Sequence, residues 1–377
     1  MISDYNYVIV GSGLFGAVVA ERIATQLKQK VLVIDRREHI GGNAYAYIDK
    51  ETGIEVHKYG SHIFHTSSEN VWNYIKKFTE FNEYRHTVYS NYKNQIYSLP
   101  INLHTINHFF KKDFSPNEAR DIIDKEIEKS GIKNPKNFEE KAISLIGKSL
   151  YEAFIKGYTK KQWSIDPKDL DPEIIVRLPV RFNYNNNYFF DKHQGIPKDG
   201  YEKMFQNILN NENIDVLLNT DFKKIKDEIN ENCKVIYTGP IDELCDYEIG
   251  PLPWKSLRFE LEKKEVEDLQ GTSVINYAEE NIPYTRIHEF KHYHPEWKGN
   301  NSTIICKEYS VGYQVGENPY YPINNDENEA KYKKYLEIAR QKYPNFTFGG
   351  RLGCYRYWDM DKAILNALSL FKSCLKF

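Results

Sequence analysis

The chain has 377 residues, enough for two or three domains and a sizeable buried core. Its 51 basic and 53 acidic residues nearly balance, which excludes a general electrostatic affinity for nucleic acid or for an anionic membrane surface. The five cysteines are scattered without a Cys-x-x-Cys pair, so neither a disulfide framework nor a zinc site is indicated. Polar residues precede the first predicted strand, and no apolar run approaches the roughly 20 residues that span a bilayer. We therefore expect a cytoplasmic protein without membrane insertion.

The first predicted unit is a dinucleotide-binding fingerprint. An apolar run at residues 7–10 leads into Gly11-Ser12-Gly13-Leu14-Phe15-Gly16 and then into a helical pattern. Gly11 permits the tight turn, Gly13 lets backbone N–H groups approach phosphates, and Gly16 lets the helix pack closely. A second apolar strand ends at Asp35, whose carboxylate suits a ribose hydroxyl pair. This order of elements predicts a Rossmann-like unit.

Two further glycine sites favour FAD over a nicotinamide cofactor. After Asp35 and Arg36 comes the pair Gly41-Gly42 followed by Asn43, which is either an ordinary turn or a second backbone segment around the cofactor. The run 348–351, Phe-Gly-Gly-Arg, predicts another strand that ends at the same ligand. Several separated glycine sites around one ligand fit an extended dinucleotide better than a small molecule.

The remaining pattern predicts interleaved domains. Residues 103–171 have apolar residues at helical spacing, and residues 176–188 and 255–307 alternate as antiparallel strands do. Residues 200–216 read as a helix and a strand that returns to the nucleotide domain. We predict an α/β fold with a Rossmann-like FAD-binding domain (1–82, 196–245 and 340–377), a helical domain with a mobile substrate loop (100–172) and an antiparallel sheet domain (83–99, 173–195 and 246–339).

Aromatic residues are unusually frequent, with 29 tyrosines and 20 phenylalanines. Most of them are expected in the core and on sheet surfaces. The segment 184–191, Tyr-Asn-Asn-Asn-Tyr-Phe-Phe-Asp, is too polar for a buried strand and too aromatic for a surface loop without a binding role. Rings that carry hydroxyls suit a nucleobase or sugar ligand.

Seven motifs spread over the chain resemble UDP-galactopyranose mutase of the bacterial type. They lie at His57–Thr66, Ile155–Trp163, Arg177–Phe182, Asn186–Phe189, Pro283–Arg286, Pro319–Pro322 and Gly349–Met360. The resemblance implies an isomerase that interconverts UDP-galactopyranose and UDP-galactofuranose for cell-surface polysaccharide synthesis. It also implies reduced FAD as the catalyst through its N5 atom, NAD(P)H as external reductant, and a homodimer.

The resemblance also assigns roles to single residues. Arg177 and Arg286 match a pair that holds the diphosphate, His62 lies against the flavin, and Asp359 is an active-site carboxylate. Without the resemblance, Arg177 reads as a surface salt bridge, and Asp359 as a helix cap before Met360. The expected cofactor contacts are Gly11, Gly13, Phe15, Gly16, Asp35, Arg36, Gly42, Asn43, His62, Ile63, Gly350, Arg351 and Met360. The expected substrate contacts are His86, Phe154, Tyr158, Thr159, Trp163, Arg177, Tyr188, Phe189, Asn276, Arg286, Tyr321 and Tyr357.

Three questions stay open at this stage. His86 stands where the family commonly has asparagine, which leaves the sugar open between galactose alone, UDP-N-acetylgalactosamine in addition, and another UDP-sugar. His57, His62 and His65 lack a carboxylate or cysteine that would complete a ligand set, so no metal is expected. Two rival classes share the nucleotide site: an FAD-dependent oxidase or dehydrogenase with net redox turnover, and a non-catalytic nucleotide-binding protein of the same fold.

Overall fold

Two main sheets organise the chain, each built from segments far apart in sequence. A computed structural model describes residues 4–174, 180–297 and 301–375. The strands are β1 (Tyr7–Val10), β2 (Val31–Ile34), β3 (Ala46–Ile48), β4 (Glu55–His57), β5 (Phe64–Thr66), β6 (Val88–Tyr92), β7 (Gln95–Leu99), β8 (His193–Gly195), β9 (Ile214–Leu217), β10 (Lys234–Tyr237), β11 (Trp254–Lys264), β12 (Val274–Tyr277), β13 (Arg286–Glu289), β14 (Thr303–Gly312), β15 (Tyr321–Pro322) and β16 (Phe346–Phe348). The helices are α1 (Leu14–Arg22), α2 (Glu69–Ile75), α3 (Leu103–Phe110), α4 (Pro116–Ser130), α5 (Phe138–Ile146), α6 (Lys148–Leu150), α7 (Lys156–Trp163), α8 (Gly200–Leu209), α9 (Phe222–Ile225), α10 (Ile241–Leu244), α11 (Asp326–Lys342), α12 (Gly350–Gly353) and α13 (Met360–Leu370).

The first sheet is parallel, with the strand order β16-β10-β1-β2-β9. Its two central strands read as unbroken apolar runs because helices cover both faces of a parallel sheet. The chain leaves β1 toward β2 on one side and later returns to β10 on the other. Ligands of open α/β sheets bind at such a reversal, beside the carboxyl ends of the strands. The predicted Rossmann-like unit is confirmed.

The second sheet has seven strands in the order β15-β11-β14-β13-β12-β6-β7. All its neighbours are antiparallel except β12 and β6, which run parallel. The register places Arg286 of β13 directly between Asn276 of β12 and Glu308 of β14. The predicted strand alternation over residues 255–307 is therefore confirmed, and it aligns charged and polar residues in one row across the sheet.

The helical layer begins after β7 and contains α3 to α7. Apolar residues at three- and four-residue spacing face inward, and Ile106, Ile123 and Ile146 are almost completely buried together. The side chain of Ser115 accepts the backbone N–H of Glu118, and the side chain of Glu118 accepts that of Ser115, which forms a capping box at the start of α4. Gly131 ends that helix in the left-handed conformation. The predicted helices between residues 103 and 171 are confirmed. Among the helices that the structure describes, none is long and apolar enough to cross a lipid bilayer.

The predicted strand over residues 176–188 is wrong where it is described. Residues 175–179 lie outside the described ranges, and residues 180–188 form turns. The side chain of Asn183 accepts the backbone N–H of Asn185, and that of Asn185 accepts the N–H of Asn187. Asparagine side chains that bond the backbone two residues ahead compete with strand pairing, which explains the turns. The strand of this region is β8, which pairs with β5.

Lys161 joins the helical layer to the second sheet. Its Nζ carries three hydrogens and lies within hydrogen-bond distance of four main-chain oxygens of residues 277–284, at 2.6 to 3.0 Å, so at least one hydrogen is shared between two oxygens. These residues form the hairpin between β12 and β13. Nearby, a Cβ atom on Gly157 would lie 2.3 Å from the carbonyl oxygen of Ala278, so only glycine lets α7 approach the hairpin this closely.

We expect Lys161→Met to lower the free energy of unfolding by about 1–3 kcal/mol, because half-buried carbonyl groups lose their donor. Chemical denaturation with urea measures this change. Lys160→Met is the matched control, since Lys160 is exposed and pairs with Glu280 at the surface; its effect should stay within about 0.5 kcal/mol. Equal effects of the two substitutions would contradict the assigned role.

Candidate active site

A cavity of about 570 Å³ connects the two sheets. One end lies at the carboxyl ends of β1, β2 and β10, against the glycine-rich turn. The other end lies against the face of the second sheet that carries Val274, Asn276, Arg286, His288 and Glu308. The cavity therefore joins the glycine-rich turn to this face of the second sheet.

Glycines form the wall of the first end because no other residue fits. A Cβ atom on Gly16 would lie 2.0 Å from the carbonyl oxygen of Gly11, and one on Gly42 would lie 2.9 Å from the Cα of Gly13. Gly11 and Gly42 also have positive φ values of 107° and 56°. The two glycine segments thus touch each other, and their backbone forms a cradle of the kind that accepts a pyrophosphate.

Asp35 is oriented by the same turn. Its Oδ2 accepts the backbone N–H and the hydroxyl of Ser12, at 2.8 and 2.6 Å, and its Oδ1 accepts the N–H of Arg37 at 3.0 Å. Arg36 lines the cavity and pairs with Glu243. The carboxylate is held beside the turn, and Oδ1 keeps one lone pair for a further donor. Its contact with a ribose hydroxyl stays a prediction.

Arg286 supplies a positive charge at the sheet end of the cavity. Its Nε lies 3.1 Å from Glu308 Oε1, and its Nη2 donates to the Tyr158 hydroxyl at 2.7 Å. Burial by itself lowers the pKa of Arg286, but the Glu308 carboxylate raises it, and the net pKa lies well above its ordinary value. The guanidinium is therefore permanently charged, and its remaining N–H groups are available to an anion.

Tyrosine hydroxyls share the cavity with this guanidinium. Tyr158, Tyr188, Tyr321 and Tyr357 all line the cavity. Burial raises the pKa of Tyr158, Tyr321 and Tyr357 above the ordinary value of a phenol. Neutral hydroxyls can donate hydrogen bonds to an anion, and together with a guanidinium they suit a diphosphate better than a neutral ligand.

His62 lies between the two ends as a neutral ring. Its Nδ1 lies 2.7 Å from the carbonyl oxygen of Gly60, so Nδ1 carries the hydrogen. Its backbone N–H donates to Nδ1 of His57 at 3.0 Å, which fixes the segment. Burial lowers the pKa of His62 to about 3.

Asp359 occupies the N-cap position of α13, but its side chain makes no capping hydrogen bond. Asp359 therefore has the position that the helix-cap interpretation predicts, but it does not make the side-chain hydrogen bond of a cap. The carboxylate instead approaches Tyr357, whose pKa is raised first by burial and then by Asp359. Both residues line the cavity.

Most of the predicted site residues converge on this cavity. All thirteen predicted cofactor contacts line it, as do His86, Tyr158, Tyr188, Phe189, Asn276, Arg286, Tyr321, Tyr357 and Asp359. Their contacts with a bound cofactor or substrate stay predictions. Phe189 stacks on His65 with ring centroids 3.7 Å apart, so one face of its ring is already covered.

Three predicted substrate contacts do not line the cavity: Phe154, Thr159 and Trp163. Phe154 is 3% exposed and packs against Tyr97 in the aromatic core of the helical layer. This core position explains why Phe154 follows the helical spacing of apolar residues in the sequence. Arg177 falls outside the described residues.

The sequence interpretation missed the carboxylate partner of Arg286. Glu308 is isolated in sequence, and only the strand register brings it opposite Arg286. The sequence interpretation also missed Ser61, in the loop between β4 and β5, and His288 of β13, which line the cavity as well. Glu308 is the one acidic residue of its mainly apolar strand, which can indicate a functional site. An isolated acidic residue in a strand is, however, equally typical of the side that faces solvent.

Among the described residues, one group of potential metal ligands converges, away from the cavity: Asp268, Glu289 and His292. The two oxygens of Glu289 already accept backbone N–H groups of residues 269–270. The group thus has a local structural role in closing a loop, and the absence of a metal stays a prediction.

The fold and the cavity define an α/β protein with a Rossmann-like nucleotide-binding unit, whose cavity continues from the glycine-rich turn to a charged face of the second sheet. A family model described as UDP-galactopyranose mutase matches residues 153–357, and one described as an NAD(P)-binding Rossmann-like domain matches residues 9–78. The chain belongs to the UDP-galactopyranose mutase family.

Named relatives agree with this assignment over nearly the full length. The chain is 46% identical over 367 residues to a probable UDP-galactopyranose mutase of Klebsiella pneumoniae, covering 97% of this chain and 94% of that protein. It is 43% identical over 372 residues to the dTDP-fucopyranose mutase of Escherichia coli, covering 98% of each. A crystal structure of reduced UDP-galactopyranose mutase has the same fold, with a TM-score of 0.73 at 15% identity, over 98% of this chain and 95% of that one.

His86 provides a test of the cavity's electrostatics. It is 6% exposed, its Nδ1 lies 3.0 Å from the Tyr84 hydroxyl, and burial lowers its pKa to about 3. The unfolded chain binds a proton at about pH 6.5, so the folded state binds fewer protons than the unfolded state between these values. Stability is therefore lost as the pH falls below about 6.5.

We expect His86→Asn to make this loss shallower, by about 1.4 kcal/mol per pH unit between about pH 6 and 4. Urea unfolding at several pH values measures the slope. His104→Asn, on the exposed face of α3, is the control and should keep the slope of the unchanged protein. Parallel curves for His86→Asn and the unchanged protein would refute the assigned burial of a neutral ring.

Proposed function

We propose that the protein is a flavin-dependent mutase that interconverts the pyranose and furanose forms of a nucleoside diphosphate sugar, with UDP-galactose as the first candidate. The observation that carries this proposal is the permanently charged Arg286, partly buried beside the Tyr158 hydroxyl in the cavity that also contains the dinucleotide cradle. A cofactor site alone would fit many flavoproteins. A diphosphate site at its far end fits a sugar nucleotide.

The residues present fit FAD. The touching glycine segments around Gly11 and Gly42 leave space only for a ligand that approaches backbone closely, as a pyrophosphate does. Ile63, Gly350 and Met360 line the continuation of the cavity toward the sheet, where the flavin ring would lie. A reduced flavin bound there supplies a nucleophilic nitrogen, N5, for the anomeric carbon of the sugar.

The side chains have binding and orienting roles in this reaction. Arg286 and the hydroxyls of Tyr158, Tyr321 and Tyr357 would hold the diphosphate while its bond to the sugar breaks and forms again. His62 is neutral, so it adds no charge beside the flavin. Arg177 would supply a second guanidinium, as the family resemblance implies. This assignment requires no nucleophilic side chain.

The identity of the sugar and of the nucleoside base also belongs to the proposal. The 43% identity with a dTDP-fucopyranose mutase makes dTDP-fucose the second candidate substrate. His86 lines the cavity where the family commonly has asparagine, which keeps UDP-N-acetylgalactosamine as a third candidate substrate. On the family resemblance, we further propose NAD(P)H as the external reductant, a homodimer, a cytoplasmic location and use of the product in cell-surface polysaccharide.

The decisive experiment incubates the dithionite-reduced holoenzyme with UDP-galactofuranose and, separately, with dTDP-fucofuranose. Chromatography should show the corresponding pyranose form, and the oxidised enzyme serves as the control that should remain inactive. Absence of any pyranose product with both substrates would reject the mutase assignment. Sustained oxygen consumption with an amine substrate would instead support an oxidase.

We expect Arg286→Lys to lower kcat/KM by about 100-fold, because lysine keeps the charge beside Glu308 but loses the planar fork. The bound flavin, read from its visible absorbance per chain, should stay unchanged. Arg258→Lys is the matched control, since Arg258 is an exposed arginine on β11. Loss of flavin in the Arg286 variant would place this residue in the cofactor site instead.

A further inference from the structure

A hydrogen-bonded chain of buried side chains lies behind Arg286. Ser61 Oγ lies 2.6 Å from Nδ1 of His288, and His288 Nε2 lies 2.9 Å from Glu308 Oε2. Both His288 and Glu308 are buried on the sheet face, and all three residues line the cavity. Their order resembles a Ser-His-acid relay, but it ends on the carboxylate that already faces Arg286.

The hydrogen positions in this chain follow from its first member. The hydroxyl of Tyr293 donates to Ser61 Oγ, so the hydrogen of Ser61 is directed to Nδ1 of His288. Nδ1 is then an acceptor, and the neutral ring carries its hydrogen on Nε2, which donates to Glu308. Burial lowers the pKa of His288, which favours the same neutral form.

This bond determines how Glu308 faces Arg286. Oε2 is occupied by His288, whereas Oε1 lies 3.1 Å from Nε of the guanidinium and accepts the Thr285 hydroxyl at 3.5 Å. That Nε makes no hydrogen bond of suitable geometry, so the carboxylate attracts Arg286 without occupying its fork. A carboxylate free to rotate would form the two-bond pair that arginine prefers, and it would turn the Nη groups away from the cavity.

We propose that His288 is a positioning residue of the diphosphate site: through its Nε2 hydrogen it fixes Glu308, and thereby keeps the fork of Arg286 directed at the ligand. The inference rests on the proposed function, since the ligand is the diphosphate of a nucleotide. Ser61 has a supporting role, because it selects the tautomer that donates to Glu308.

Two substitutions of His288 separate this role from simple packing. The amide nitrogen of glutamine can take the place of Nε2 and still donate to Glu308, whereas the shorter asparagine reaches only the place of Nδ1. Titration calorimetry of the oxidised, flavin-loaded protein with UDP measures affinity without turnover. We expect His288→Asn to raise the Kd for UDP about tenfold, and His288→Gln to raise it less than about threefold. KM for the sugar nucleotide should rise with Kd, while kcat changes less.

Ser61→Ala provides a second variant, on a loop rather than inside the sheet, and should raise the Kd for UDP about threefold. His292→Asn, in the helical turn that follows β13 and outside the cavity, is the control and should leave the Kd unchanged. Equal impairment by His288→Asn and His288→Gln, or none by His288→Asn, would overturn the positioning role alone. Failure of the unchanged protein to bind either UDP or dTDP would overturn the proposed function as well.

Discussion

The ion pair between Arg286 and Glu308 is the interaction on which the cavity depends. A guanidinium can be buried at the end of a cofactor site only if a carboxylate offsets its loss of hydration. The antiparallel register supplies that carboxylate from the next strand, and a neutral histidine satisfies the oxygen that the arginine leaves free. The buried charge is thus held by the sheet itself rather than by a loop, and sheets position groups more rigidly than loops do.

The functions of the two sheets explain why their strands alternate along the chain. The parallel sheet offers backbone at the carboxyl ends of its strands, which suits a cofactor's pyrophosphate. The antiparallel sheet offers a flat face of side chains, which suits a charged second ligand. The cavity needs both surfaces to face each other, so the chain leaves the first sheet after β2 and builds the second before it completes the first with β16. Neither part alone would form a closed site for two ligands.

The parts of the structure that depend on local sequence were predictable, and those that depend on register were not. The glycine turn at Gly11 and the helical layer follow from neighbouring residues, and both were predicted. Glu308 required knowledge of strand pairing, and no local pattern provides that. The sequence alone favours a core position for Phe154, and the structure packs it against Tyr97. Its role as a substrate contact, which only the family resemblance implies, stays a prediction. Asparagine turns replaced the strand expected before Tyr188.

The contacts of Lys161 with the hairpin also link two residues of the cavity. Because they tie α7 to the hairpin that leads into β13, Tyr158 and Arg286 belong to one mechanical unit. A hinge within that unit would have to break all of these contacts together. A rearrangement that leaves them intact would therefore move Tyr158 and Arg286 as one, and the hydrogen bond between the two side chains would keep its geometry.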